Sequence, residues 1–226
     1  KALGIAVAPF EVVEQGPGEV AAHVDALRDR GLHDLQMFAV VGDPQRILVA
    51  VYIFPLWNLT MFAPQYPEGL RLDIYSYKLE GGNNGQDVKE INVLNHYIGM
   101  RDLVTADFGE FKWMPFVVGA LALLFLRAAV HAHLGDLLDV TVLYLYFALF
   151  SLWSFGYKMY HYGHDLAPTA AVKVEPFMPP MFGYKKLANF DVWSYPGVAS
   201  YALMAIGVAL LLALAMAWRQ ARREGP

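Results

Sequence analysis

The densest set of metal-capable side chains in the chain is His161-Tyr-Gly-His164-Asp165. On a continuing helix, a spacing of three sets both imidazoles on one face. Two neutral imidazoles beside a carboxylate suit copper(II), zinc or iron(II). Met159, Met178 and Met181 stand in the same stretch, and soft thioether sulfur favours copper(I). A second string, Asn95-His96-Tyr97-Ile98-Gly99-Met100, adds one more imidazole and one more thioether. The expected metal set is therefore His161, His164 and Asp165, with His96 and Met100 assisting, and copper is the expected ion. The competing expectation is structural. Imidazole and phenol rings are common at membrane interfaces, Asp165 would cap a helix end, and His164 would donate to a backbone carbonyl. His131 and His133 are too close along a helix end to share a face. No haem is predicted, because the remaining histidines do not face one another at similar depth.

Composition removes other chemistries. Among 226 residues there is no cysteine, which excludes disulfides, thiolate nucleophiles, CxxC redox motifs and cysteine-held clusters. The formal charge of -4 supplies no basic field for nucleic acid. No Ser-His-Asp arrangement is legible. The glycines at 81, 82 and 85 lack the lysine and the strand-to-helix setting of a phosphate loop. Nothing in the chain dictates turnover, and the reading leans away from an enzyme.

The elements that must position these residues are membrane helices. The chain is 57% hydrophobic and 17% charged, with mean hydropathy +0.35, against about 25% charged in an ordinary soluble domain. Spanning takes about 20 mostly apolar residues. Four stretches qualify: 47–63, 113–134, 140–157 and 197–218. The expected fold class is an all-α integral membrane bundle of about four helices, with a small extracytoplasmic β-hairpin insertion and an ordered outer loop. Residues 1–46 form an N-terminal cytoplasmic or interfacial segment, in which 19–36 has helical spacing. Arginine sets the orientation: Arg28, Arg30, Arg46, Arg127, Arg219, Arg222 and Arg223 fall on one side, Arg71 and Arg101 on the other. The tail 219–226 is thus cytoplasmic, and segments 64–112 and 158–196 face outside. Arg127, near a helix end, is expected to pair with Asp136 and Asp139 across the tight turn.

Alternation over 70–79 predicts a strand with Leu70, Leu72 and Ile74 on one face. The Gly-Gly-Asn-Asn-Gly run at 81–85 makes the turn, and 88–93 is the expected return strand. Segment 158–196 carries Pro168, Pro176, Pro179, Pro180 and Pro196, which interrupt long regular elements. Its many aromatic residues predict an ordered cap rather than a linker.

Several strings have a family look: Phe54-Pro-Leu-Trp57, Ala63-Pro-Gln-Tyr-Pro-Glu-Gly-Leu70, Ile91-Asn-Val-Leu-Asn-His-Tyr-Ile-Gly-Met100, Tyr162-Gly-His-Asp-Leu-Ala-Pro168, Pro176-Phe-Met-Pro-Pro180 and Ala188-Asn-Phe190. Over roughly residues 47–200 the chain resembles a family of small bacterial multi-pass membrane proteins. That family is associated with nitrous oxide reductase maturation and copper delivery. The resemblance carries no catalytic residues. It implies an accessory or assembly protein of the bacterial cytoplasmic membrane, acting on the outer face on copper or on the maturation of a copper enzyme. The other expectation is a non-catalytic subunit of a larger membrane complex. The expected partners are the bilayer and other membrane or periplasmic subunits.

Overall fold

The computed structural model describes residues 44–131, 133–187 and 189–223. The expected segment 1–46 therefore lies outside the described residues up to residue 43. In chain order the elements are α1 (Pro44–Ile53), β1 (Trp57–Ala63), β2 (Tyr66–Ile74), β3 (Leu79–Gly81), α2 (Gln86–Tyr97), α3 (Glu110–His131), α4 (Leu134–His164), β4 (Gly183–Leu187), β5 (Phe190–Pro196) and α5 (Val198–Arg223). Two short 3-10 turns, Asn83–Gly85 and Thr105–Asp107, precede α2 and α3.

Three helices among the described residues are long and apolar enough to cross a membrane: Glu110–His131, Leu134–His164 and Val198–Gln220. The expected count was four. The first expected span, 47–63, divides: α1 stops at Ile53 and β1 starts at Trp57. Ten described helical residues reach about 15 Å, half of a bilayer core of about 30 Å. Pro55 ends the helix, since it cannot donate, and Leu56 N–H instead bonds the carbonyl of Ile74 at 2.7 Å. The residues that follow are rich in Trp, Leu, Thr, Met and Phe and pair on both sides as a central strand. Hydropathy averages over such a strand and a span alike, because it ignores the period of two.

The five strands form one antiparallel sheet in the order β3-β2-β1-β5-β4. The all-α expectation is corrected here, as is the separation of the two outer segments. Both supply strands to one sheet, where β1, from the expected first span, pairs with β2 of 64–112 on one side and β5 of 158–196 on the other. The expected return strand at 88–93 lies inside α2 instead. Asn83 and Asn84 at φ 52 and 56 and Gly85 at φ 84 reverse the chain. Ile91, Leu94 and Ile98 then recur at helical spacing and are buried. The partner strand of β2 is the three-residue β3. Asp87, 3% exposed, holds this corner by accepting from Arg71 N–H at 2.9 Å and Asn83 Nδ2 at 2.8 Å.

Two cores result. The bundle core joins Leu48 and Val51 of α1 to Val118, Leu121, Phe125, Leu137, Tyr144, Ile206 and Leu210. The sheet core places Leu70, Leu72, Phe190 and Val192 against Ile91 and Leu94 of α2 and Ile98 just past its end. Trp57 ties β1 to α4 and β5: its ring lies 4.7 Å from Phe155 and 4.9 Å from Phe182, and Nε1 donates to Ser194 Oγ at 2.8 Å. Gly197 lets β5 turn into α5, since a Cβ there would sit 2.2 Å from the carbonyl oxygen of Pro55. At the opposite end of the bundle, an Arg127 guanidinium nitrogen lies 3.4 Å from Asp136. His131 Nδ1 joins the same carboxylate at 3.1 Å. Asp139 takes no part in an ion pair among the described residues.

Candidate functional site

The predicted ligands gather at the sheet side of the bundle, where α4 runs past the end of α3. Segment 165–172 crosses the C-terminal end of α2: Ala167 N–H donates to the Gly99 carbonyl at 2.8 Å and Val172 N–H to the Tyr97 carbonyl at 3.0 Å. Gly99 has φ 81, and a Cβ there would meet the Ala167 carbonyl oxygen at 2.9 Å. Only glycine allows both the left-handed backbone and the close crossing. The two histidine-bearing strings are thereby brought together at the level of the backbone.

Their side chains then diverge. His161 Nδ1 donates to Asp165 Oδ2 at 2.9 Å, and an Arg101 guanidinium nitrogen lies 3.7 Å from that same oxygen. His164 Nδ1 donates to the Tyr160 carbonyl at 2.9 Å, and its ring stacks on Tyr160 at 3.8 Å. His96 is exposed in the last turn of α2. Met100 turns the other way, into the domain. No group of three or more His, Asp or Glu placed to hold a metal ion occurs among the described residues. The five-residue set expected from sequence is thus divided between two imidazoles at the surface, one carboxylate already partnered, a separate exposed imidazole and an interior thioether.

Among the described residues, the geometry gives Nδ1 of both α4 imidazoles a partner and Nε2 none. A carbonyl or carboxylate oxygen can only accept, so Nδ1 carries the proton in each neutral ring and Nε2 keeps a lone pair. Metal-bound histidines are oriented in this way, with the second ring nitrogen held by a carboxylate or carbonyl.

Met100 lines an apolar cavity of about 70 Å³ between the sheet and α2, with Met61, Met159, Asn95 and Tyr162 among the wall residues. Met159 and Tyr162, which flank His161 in sequence, are 6% and 5% exposed. Helical period explains the split: Met159 and Tyr162 face inward, and the imidazoles lie on the far side of α4. The Met181 thioether lies beside Gly156 of α4, and the main-chain carbonyls of Met178 and Met181 are hydrogen-bond acceptors. The Met178 carbonyl accepts from Lys185 Nζ at 2.7 Å and the Met181 carbonyl from Ser194 Oγ at 3.1 Å.

A second polar cluster, absent from the sequence reading, joins α3 to α4. Ser154 Oγ donates to Glu110 Oε1 at 2.6 Å. Lys158 Nζ lies 3.6 Å from Glu110 Oε2 and donates to the Asp107 carbonyl at 2.6 Å. The signal was the paired lone charges at the two helix ends, too ordinary at an interface to single out.

The open face of the sheet was also missed. Tyr184, Trp193 and Tyr195 are 51%, 41% and 45% exposed there. Their rings follow one another at 5.1 and 6.2 Å. Around them Tyr184 Oη donates to Asp191 at 2.6 Å, and Arg71 grips Asp73 at 2.9 Å. That hydrogen bond and charge raise the Arg71 guanidinium above its ordinary pKa. Asn58 Nδ2 completes the group on Asp73 at 2.6 Å. The alternation in Phe190-Asp-Val-Trp-Ser-Tyr195 would have found this face, had 158–196 not been read as proline-interrupted cap throughout.

No protein-family model, curated protein or solved structure matches the chain.

Proposed function

We propose that this is a non-catalytic accessory protein of a membrane assembly, and that its sheet domain holds a protein partner on the extracytoplasmic face. The observation that supports this reading is the open sheet face with its row of Tyr184, Trp193 and Tyr195. Aromatic residues and arginine are enriched at protein interfaces, and buried Trp and Tyr dominate their energetics. Polar neighbours already paired among themselves, such as Tyr184–Asp191 and Arg71–Asp73, can be covered without leaving an unsatisfied charge. Gentle purification from native membranes should yield a companion polypeptide. Trp193→Ala should weaken its retention at least tenfold while the chain stays folded, as a hot-spot residue requires. Undiminished retention sinks the assignment of this face.

A second reading is copper handling, favoured by the Nε2 atoms of His161 and His164, which have no partner among the described residues. Here Asp165 orients His161 rather than ligating, and the ion's remaining ligands come from the partner. Purified complex should then carry about one copper. The His161→Ala, His164→Ala double variant should lose it with the companion still bound. Copper content unchanged in that variant removes the histidines from the site.

A further inference from the structure

We propose that α4 is a dimerisation helix, which pairs in parallel with α4 of a second copy of this chain. This inference does not depend on the accessory role. It starts from a repeat on the exposed side of α4. Leu143, Tyr146, Phe150, Trp153, Tyr157, Tyr160 and His164 follow at spacings of three and four in strict alternation. That is a period of 3.5 residues held over three heptads, the period of a seam between two supercoiled helices.

Among the described residues the seam is touched from a neighbouring helix at Phe150, where the Trp113 ring of α3 lies 5.6 Å away, and its residues remain largely exposed. Leu143, Tyr146, Phe150, Trp153, Tyr157 and Tyr160 are 48%, 69%, 46%, 62%, 52% and 49% exposed. The rings are in contact along the helix: Phe150 to Trp153 at 5.7 Å, Trp153 to Tyr157 at 5.6 Å, Tyr160 to His164 at 3.8 Å. The opposite side of α4 is already occupied by Leu137, Val140, Thr141 and Tyr144 in the bundle core.

Lipid alone does not account for the row. Aromatic belts are set by depth, at the headgroup level. Ser154 lies level with Glu110 at the start of α3. Tyr146 is therefore about 12 Å deeper than that start, and Tyr160 about 9 Å beyond it, at about 1.5 Å of rise per residue. One register runs through the hydrocarbon region, the interface and the projecting end of α4. A facing helix imposes a register; acyl chains and water do not.

A second copy fits this seam on two counts. No Asp, Glu, Lys or Arg occupies a seam position, and Lys158 beside it is turned to Glu110 and the Asp107 carbonyl. Parallel pairing thus opposes no like charges. All copies insert alike, so each presents the seam at the same depth, which is what a two-fold interface needs. The area is also adequate. The five aromatic side chains, each about half exposed and of a class that buries 150–250 Å², supply on the order of 500 Å² per helix, to which Leu143 adds, against roughly 800 Å² per partner in stable complexes.

The absence of cysteine makes the test direct. Single substitutions Tyr146→Cys, Phe150→Cys, Trp153→Cys and Tyr157→Cys are oxidised in native membranes beside Leu145→Cys, Leu149→Cys and Leu152→Cys. The expected result is a chain–chain disulfide at the first four positions, at least tenfold more abundant than at the flanking leucines. Replacing Tyr146, Phe150 and Trp153 together by leucine, which keeps the helix apolar, should halve the particle mass in mild detergent with helical content unchanged. Adducts to a different polypeptide, equal yields at seam and flank, or unchanged mass in the leucine variant would each overturn the proposal.

Discussion

Phe125 in the bundle and Phe190 under the sheet are both buried aromatic side chains, 1% and 6% exposed. Each belongs to a core of aliphatic neighbours. What surrounds the two cores differs. The sheet core is closed against water by α2 and the strands, so burying Phe190 gains the full transfer of its ring from water. Phe125 sits between helices long and apolar enough to cross a membrane. When those helices separate within lipid, the ring moves from side chains to acyl chains, and only packing is lost. The same residue type is thus held mainly by solvent in one region and by shape in the other.

The largest expected effect tests this difference. Phe190→Ala should destabilise the sheet domain by about 3–5 kcal/mol. Phe125→Ala should cost the bundle roughly 2 kcal/mol, the packing and cavity part alone. Hydrogen exchange of the strand amides reads the first, and unfolding of the helices in mixed micelles the second. Equal losses would show that the bundle core is not held as a lipid-solvated one.

Next comes the place where the sheet side presses on α4. A Cβ on Gly163 would lie 1.9 Å from the Phe177 carbonyl oxygen and 2.8 Å from Pro179 Cδ. Phe177 N–H also donates to the Gly163 carbonyl at 3.0 Å, so the crossing segment cannot withdraw without losing that bond. Gly163→Ala should cost about 1–3 kcal/mol through overpacking, seen as lost exchange protection around Phe177. Gly156 lies two turns earlier on the same helix. There a Cβ meets only the flexible thioether of Met181, at 3.4 Å. Gly156→Ala should be neutral or gain a little, up to about 1 kcal/mol of helix propensity. The pair separates contact with backbone from contact with a movable side chain.

How much of this was legible follows from the same contrast. The three long helices could be read from sequence because lipid imposes one simple demand, length of apolar chain. The sheet was harder, since its order is decided by β5, which lies more than a hundred residues from β1. The face shared by Leu70, Leu72 and Ile74 was visible in alternation, but their partner was not. Residues 88–93 alternate as plausibly as they spiral, and the left-handed Gly85 with the buried carboxylate of Asp87 decides for a helix. Among the candidate ligands, residue type was legible and direction was not. Met100 and His96 lie four apart, yet one lines a cavity and the other is exposed.

The junction between the two regions offers a smaller effect. Ser76, fully buried at the tip between β2 and β3, donates to the Val51 carbonyl of α1 at 3.0 Å. Val51 itself lies in the bundle core. Ser76→Ala removes the donor and leaves that carbonyl buried, which costs about 1 kcal/mol. The loss should loosen the hairpin tip and leave the strand centres protected. If the whole sheet loosened together, the two cores would be one cooperative unit rather than two.

The smallest effect lies wholly within the sheet domain and depends on pH. Tyr66 at the start of β2 donates to Glu90 of α2, one of the ties between strand and helix. The hydrogen bond from Tyr66, followed by that from Gln86, holds the Glu90 carboxyl below its ordinary value of 4.5. The same bond to Glu90 raises the Tyr66 phenol above 10.0. A depressed carboxyl contributes stability above its unfolded pKa and loses it as the pH falls through the folded one. A raised phenol contributes below its unfolded pKa and loses that as the pH rises through the folded one. The tie should therefore be intact from about pH 5 to 9 and weaken on both sides. Both groups meet solvent, so the change should be a local rise in exchange at Tyr66 and Glu90, with the bundle unaffected. Glu90→Gln should abolish the acid-side change and leave the rest of the profile in place. An acid-side change that persists in that variant would show that the Tyr66–Glu90 tie is not its cause.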